Sequence, residues 1–240
     1  VTVIQGGRRF YGVDVGIVLL DNTIPRPVGD VGHAGTFDFP VAYATACGAG
    51  TTHVVERRAE GLLDAVAAPL RELVAGGVRA IATCCGFLAI FQAELAERTG
   101  VPVAASSLLQ IPMVLTTLAP AQRVCVLTVN GSTLSDDHFA AAGVTSAQRH
   151  RITVAGLEHT DHFYPMIVGK SSTLDTSVAE REIVAAATDA VAADPTIGAF
   201  VFECTNLPPY AAAVRRATNR PVWDAVTLIR WLRAGVTEQE

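Results

Sequence analysis

Apolar and polar positions along the chain fall into short apolar runs separated by amphipathic stretches. Residues 13–20 (Val-Asp-Val-Gly-Ile-Val-Leu-Leu) read as a buried strand, ended by Asp21-Asn22-Thr23. From Ile24 to about Gly50 the chain is rich in Pro, Gly and small residues and has no helical period. A loop of that length in a compact domain is usually functional or disordered. Phe37, Phe39 and Tyr43 give this one something to pack with, so the expectation is an ordered lid or pocket wall. Over 55–75, Leu62, Leu63, Val66, Leu70, Leu73 and Val74 make one face of a helix that Gly76-Gly77 terminates. Further strands are predicted from Arg79, over 101–105, over Arg123–Val129, over Ile152–Ala155 and from Gly198. Helices are predicted after Cys85, from Ser106-Ser107 toward Pro120, over 177–193, after Cys204 and over Ala225–Ala234. The stretch 157–172, which holds His159, His162 and Lys170, reads as loop or short helix. Strands alternating with helices imply βαβ crossovers and a largely parallel sheet.

One unit of this pattern occurs twice. Arg79-Ala-Ile-Ala-Thr-Cys-Cys-Gly-Phe87 and Gly198-Ala-Phe-Val-Phe-Glu-Cys-Thr-Asn206 are each an apolar run ending in a cysteine, followed by a helix-like segment and then Pro-Val. The spacing from Cys85 to Pro102 and from Cys204 to Pro221 is 17 residues in both. Val-Asn130-Gly-Ser-Thr133 after the strand at 123–129 likewise mirrors Asp21-Asn22-Thr23. The chain therefore divides into a first α/β half over 1–120, closed by a C-terminal helix over 223–240, and a second α/β half over 121–222. The fold class expected is α/β, with two pseudo-symmetric parallel-sheet (flavodoxin-like) halves and the site in the cleft between them. Ligands on such sheets bind beyond the carboxyl ends of the strands, where Cys85, Cys204, Asp21, Asn22 and 130–133 are all predicted to lie.

Composition narrows the classes. Half of the 240 residues are hydrophobic and 17% charged, with net charge −5. No apolar run approaches the roughly 20 residues of a membrane span, and no leader-like segment opens the sequence, so a cytoplasmic protein without membrane contact is expected. Seventeen of the eighteen basic residues are arginine, scattered rather than clustered, which argues against a nucleic-acid partner. Five cysteines fit neither a disulfide framework nor a paired-cysteine zinc site, so reduced thiols and no metal are expected. Cys125 sits in an apolar run and reads as core, and Cys47 in a small-residue loop receives no role. His159-x-x-His162 lacks a partner acid at helical spacing and reads as solvated loop, Asp224 as the cap of the last helix or else a residue lining the cleft, and Arg26 as a candidate carboxylate clamp.

A cysteine at a helix start lies near unsatisfied N–H groups that favour its thiolate. Two such thiols facing each other across a cleft suit proton transfer at one carbon: one removes a proton and the other returns one to the opposite face. Developing enolate charge needs donors; the backbone N–H groups of Gly86, Phe87 and Thr205 and the side chains of Asn206, Ser132 and Thr133 are candidates.

Thr-Cys-Cys-Gly-Phe-Leu-Ala, Glu-Cys-Thr-Asn-Leu-Pro-Pro-Tyr, the Asp21 strand end and the 17-residue symmetry resemble the aspartate/glutamate racemase superfamily, which also holds hydantoin racemases, maleate isomerases and arylmalonate decarboxylases. The resemblance spans nearly the whole chain. It implies no cofactor, Cys85 and Cys204 as the acid–base pair, Asp21 and Asn22 near the substrate, Thr205 on a carboxylate, and a homo-oligomer. Glutamate racemases carry Cys-Asn-Thr where this chain has Cys85-Gly86-Phe87, and Cys-Thr-His or Cys-Thr-Glu where it has Cys204-Thr205-Asn206; these departures weigh against aspartate or glutamate as substrate. The expected activity is a cofactor-independent racemase or epimerase of a small carboxylate-bearing compound, with Asp21, Asn22, Gly86, Phe87, Asn130, Ser132, Thr133, Thr205 and Asn206 binding substrate. The alternative on the same scaffold is a cis–trans isomerase or decarboxylase of a small dicarboxylate. A non-catalytic two-lobed ligand-binding protein has no need of paired thiols.

Overall fold

The computed structural model describes residues 6–169 and 171–237. Lys170 lies outside the described residues. Among the described residues, eight strands form two four-stranded parallel sheets of identical order. The first contains β1 (Val15–Leu20), β2 (Val41–Ala46), β3 (Ala80–Thr83) and β4 (Val103–Ala104), arranged β2-β1-β3-β4. The second contains β5 (Arg123–Thr128), β6 (Ile152–Gly156), β7 (Ile197–Phe202) and β8 (Val222–Trp223), arranged β6-β5-β7-β8. The α/β class and the repeated parallel half-unit are thus as the pattern predicted, and β3 and β7 hold equivalent places.

The α-helices that flank the sheets are α1 (Thr51–Glu56), α2 (Leu63–Gly76), α3 (Gln92–Glu97), α4 (Ile111–Thr117), α5 (Asp136–Ala141), α6 (Ser146–Arg149), α7 (Phe163–Ile167), α8 (Thr176–Ala193), α9 (Ala211–Thr218) and α10 (Ala225–Val236). The central strands are buried end to end, as Val126, Leu127, Phe200, Val201 and Phe202 show, which is how a parallel sheet covered on both faces reads in sequence. α10 crosses back to the first sheet, where Leu228 and Leu232 pack on Ala80 and Ala104. Asp224 caps it: the carboxylate accepts from Thr227 N at 2.8 Å while the Thr227 hydroxyl accepts from Asp224 N at 2.9 Å.

Two elements depart from the pattern. The segment 24–50 is not a loop throughout, because Val41–Ala46 is an edge strand in parallel register with Val15–Leu20. Its alternating alanines lack the β-branched run that signals a strand, and pairing with β1 decides its conformation. The helix expected over 55–75 is two helices, α1 and α2. Arg58 (φ 55°), Ala59 (φ 56°) and Gly61 (φ 73°) turn the chain through the left-handed region between them, and burial of Ala59 holds that turn in place.

Candidate active site

The carboxyl ends of the two sheets face each other, and a small set of bonds crosses between them. The Thr205 hydroxyl donates to the Cys84 carbonyl, and the Ser107 hydroxyl donates to the Phe202 carbonyl at 2.5 Å. The Asn206 amide donates to Asp30. Gly86 has no Cβ because Glu203 of the opposite half occupies that place: a Cβ there would lie 2.8 Å from Glu203 Cδ, with Glu203 Oε1 and the Glu203 carbonyl oxygen closer still.

Between the sheets lies a narrow cavity lined by Leu20, Asn22, Ile24, Arg26, Thr51, Val55, Cys84, Cys85, Phe87, Val129, Ile167, Glu203, Cys204, Thr205 and Asn206. Cys85 and Cys204 therefore share one chamber. Its free space is about 10 Å³, barely enough for one water molecule. Asn22, Ile24 and Thr51 also line a larger open vestibule of about 740 Å³, walled by Asp21, Gly48, His53, Gly169 and Ser171 among others. The two spaces meet at the Asn22 amide, which donates to the Thr51 hydroxyl at 2.7 Å.

The electrostatics reverse one expectation. The chain past each cysteine does supply an N–H to its thiol, from Phe87 in the 3-10 helix Gly86–Phe91 to Cys85 and from Asn206 in a turn ahead of the 3-10 stretch Pro208–Tyr210 to Cys204. Burial outweighs it, and with the charge of Glu203 it pushes both thiols well above the ordinary cysteine value, since a dry site penalises the charged form. The Cys204 thiol also donates to Asn206 Oδ1 at 3.6 Å. Cys84 is raised as well, through burial, but the Arg26 guanidinium opposes the shift, and its sulfur accepts from Leu20 N at 3.1 Å. Glu203 is fully buried, and burial drives its carboxyl up to about 8. Arg26 bonds Asp30 at 2.9 Å and Asn22 Oδ1 at 3.1 Å. Burial pulls its own value down, but the charges of Cys84 and Asp30 prevail and the net shift is upward.

The remaining sequence candidates fall into two groups. Phe87, Asn22, Thr205 and Asn206 stand in the cavity wall, and Gly86 lies against it; Phe87 is held edge-on to His138 at 5.3 Å. Asp21 faces the vestibule and accepts from Gly48 N at 2.8 Å. Asn130, Ser132 and Thr133 stand outside the cavity lining. Asn130 Oδ1 accepts from Ser132 N at 3.0 Å and from its hydroxyl at 2.6 Å, and the buried Thr133 hydroxyl has no partner among the described residues. Glu203, Asp30 and Thr51 were missed as site residues. Glu203 had a visible signal, an acid at the end of an apolar run next to a cysteine; Asp30 and Thr51 had none. Cys125 is core, Cys47 is exposed, and among the described residues no group of three or more His, Cys, Asp or Glu could hold a metal ion.

Comparison with known proteins places this geometry. No family model matches the chain. A dimethylsulfoniopropionate lyase of Durusdinium sp. clade D is 30% identical over 221 residues, covering 88% of this chain and 71% of that protein. Dimethylsulfoniopropionate lyases 5 and 7 of Emiliania huxleyi are each 31% identical, covering 93% and 89% of this chain. The chain spans 45% and 64% of those two relatives. Among solved structures, unliganded arylmalonate decarboxylase matches with TM-score 0.58 at 18% identity, covering 95% of this chain and 94% of that one. A glutamate racemase from Bacillus anthracis matches with TM-score 0.57 at 11% identity, over 93% and 82%. Allantoin racemase from Klebsiella pneumoniae gives 0.56 at 15%, over 92% and 87%. The racemase or epimerase expectation is corrected by the curated relatives, whose names are those of lyases; the bond-breaking alternative agrees with them better. Catalysis on the racemase scaffold stands, whereas the isomerase and amino-acid-metabolism expectations have no support. With a relative of 30% identity covered over more than two thirds of its length, the chain belongs to the dimethylsulfoniopropionate lyase family and has the fold of the aspartate/glutamate/hydantoin racemase superfamily.

Proposed function

We propose that this protein is a lyase that breaks dimethylsulfoniopropionate, or a close sulfonium acid, into dimethyl sulfide and acrylate. The observation that carries the reading is the kinship with curated lyases, supported by two buried thiols in one chamber. The substrate class is a three-carbon acid with a carboxylate at one end and a sulfonium cation at the other. A thiolate of Cys85 or Cys204 takes a proton from the carbon beside the carboxylate. The electrons of that C–H bond form the C=C bond, and the C–S electrons leave with dimethyl sulfide.

Three features of the chamber suit this reaction. Burial raises both thiols and favours their neutral form, and a sulfonium cation brought beside them favours the thiolate through the same Coulomb attraction that lowers any acid next to a positive charge. Phe87, Ile24, Val55 and Ile167 give apolar walls for the two sulfur methyls. Arg26, held by Asp30 and Asn22, is the cation that the carboxylate meets. Entry requires Asn22 and Thr51 to part, because the narrow chamber has no room for such a molecule.

The test is headspace measurement of dimethyl sulfide, with acrylate followed by NMR, for wild type, Cys85→Ala and Cys204→Ala. Stoichiometric dimethyl sulfide and acrylate from wild type, lost in one or both variants, is the expected result. A wild type that releases neither product, at any pH from about 6 to about 10, sinks the reading.

A further inference from the structure

A lyase that takes a proton from its substrate and returns none must discard one proton per turnover, and a narrow, largely buried chamber makes that a problem of its own. Glu203 stands where it can be solved. It follows directly on β7, its side chain is fully buried, and it lines the chamber with both thiols. One oxygen, Oε2, is within 2.7 Å of the Thr128 hydroxyl. The other, Oε1, is buried without a partner among the described residues and lies against the backbone of Gly86, the residue next to Cys85. A carboxyl kept only for structure pairs both oxygens, because a buried unpaired acceptor is costly. Its charge acts on Cys85 and Cys204 alike.

We propose, resting on the lyase reading above, that Glu203 is the proton relay of the thiol pair, accepting a proton from a thiol inside the chamber and passing it to water after the products leave. The cycle balances. The Glu203 carboxylate takes the thiol proton, giving a thiolate and a carboxylic acid. The thiolate takes the substrate proton as the C–S bond breaks, and becomes a thiol again. The carboxylic acid then loses its proton to water and the site is reset, so one proton has moved from substrate to solvent. A carboxyl titrating at about 8 exchanges protons with thiols far more readily than an ordinary one near about 4. The other titratable groups that line the same chamber are Cys84 and Cys85 from the end of β3, Cys204 beside it, and Arg26 from the segment after β1; of these, Cys85 and Cys204 feel the charge of Glu203.

Glu203→Gln keeps the volume and the bond to Thr128 but carries no exchangeable acid. The expected result is a first turnover, by enzyme equilibrated at about pH 9, within about threefold of wild type, followed by a steady-state kcat reduced roughly 10²-fold. A Glu203→Gln enzyme whose steady-state kcat and pH profile match wild type overturns the relay. A second readout needs no substrate: the pH dependence of iodoacetamide labelling at Cys85 and Cys204, followed by mass spectrometry. Removal of the carboxyl should move that profile to lower pH, and an unmoved profile overturns the relay. If wild type makes no dimethyl sulfide, the lyase reading falls by itself, and the labelling experiment still decides whether the Glu203 carboxyl is coupled to the thiols as a relay requires. If Glu203→Gln does not fold by circular dichroism, Glu203→Asp goes through the same two assays: the relay survives a partial loss and is refuted by wild-type behaviour in both.

Discussion

Gly86→Ala isolates the close approach of the two halves. An added methyl would sit 2.8 Å from Glu203 Cδ and nearer still to the Glu203 carbonyl oxygen, roughly 1 Å inside van der Waals contact. A side chain could rotate away, but a backbone carbonyl at the end of β7 cannot, since Glu203 N is tied to the Leu127 carbonyl at 2.8 Å. The strain therefore falls on the spacing between the sheet ends, which is the spacing between Cys85 and Cys204. Overpacking of this kind costs about 1–3 kcal/mol, a fall in Tm of about 2–4 °C for each kcal/mol in a chain of this size. A misplacement of about 1 Å at reacting groups costs on the order of 10²-fold in rate, so kcat/KM for dimethyl sulfide release should fall by about that factor in protein that is still folded. Differential scanning calorimetry and headspace kinetics on the same preparation measure both. A Gly86→Ala protein melting within one degree of wild type, at full kcat/KM, would refute the claim that the halves touch through this glycine.

Other expectations follow from the same chamber. Glu203→Gln should stabilise the protein at neutral and alkaline pH: a carboxyl raised to about 8 when folded gives stability that is fully present below its unfolded value near about 4.3 and is lost as pH rises to about 8. The change, on the order of a few kcal/mol, is read from urea unfolding at about pH 5 and about pH 8; equal stability differences at both would contradict it. Arg26→Ala leaves Asp30, which is fully buried, without its cation and should cost about 3 kcal/mol, with activity lost even where folding survives; urea midpoints and headspace assays check both. Asp224→Ala removes the cap of α10 and should cost about 1 kcal/mol while leaving kcat near wild type, since the residue lies outside the chamber; a chevron or urea titration tests it. His138, held neutral by burial down to about 4, should make the protein lose stability as pH falls from 6.5 toward 4, and acid unfolding of His138→Phe should lack that component.

The repeated half-unit was legible because a parallel strand buried on both faces must be apolar, and because 17 residues from cysteine to proline recur only if the same crossover is used twice. That spacing also selects Cys85 over Cys84. The paired thiols suggested two-base inversion, a reasonable inference from symmetry alone, yet the relatives are lyases, for which one base is enough. Sequence spacing reports that two thiols meet; it contains nothing about the bond that lies between them. The segment 24–50 shows a similar limit: its edge strand alternates alanine with Val41, Tyr43 and Thr45, too short a signal amid Pro and Gly, and pairing with β1 sets its register.

What the sequence by itself determined was the set of short-range decisions: strands, most helices, the Asp224 cap, the Cys125 core position and the two cysteine-tipped strand ends. Each depends on neighbours within a few turns of chain. What only the tertiary structure decided depends on residues far apart in sequence. Glu203 fills the space that Gly86 leaves, across 117 positions of chain, Arg26 lies against Cys84, and Asn206 reaches Asp30. Thiol ionisation belongs to the same class. A helix start beside each cysteine argued for a lowered value, but desolvation by the opposing half raised it, because burial is a property of the assembled site and cannot be read one segment at a time.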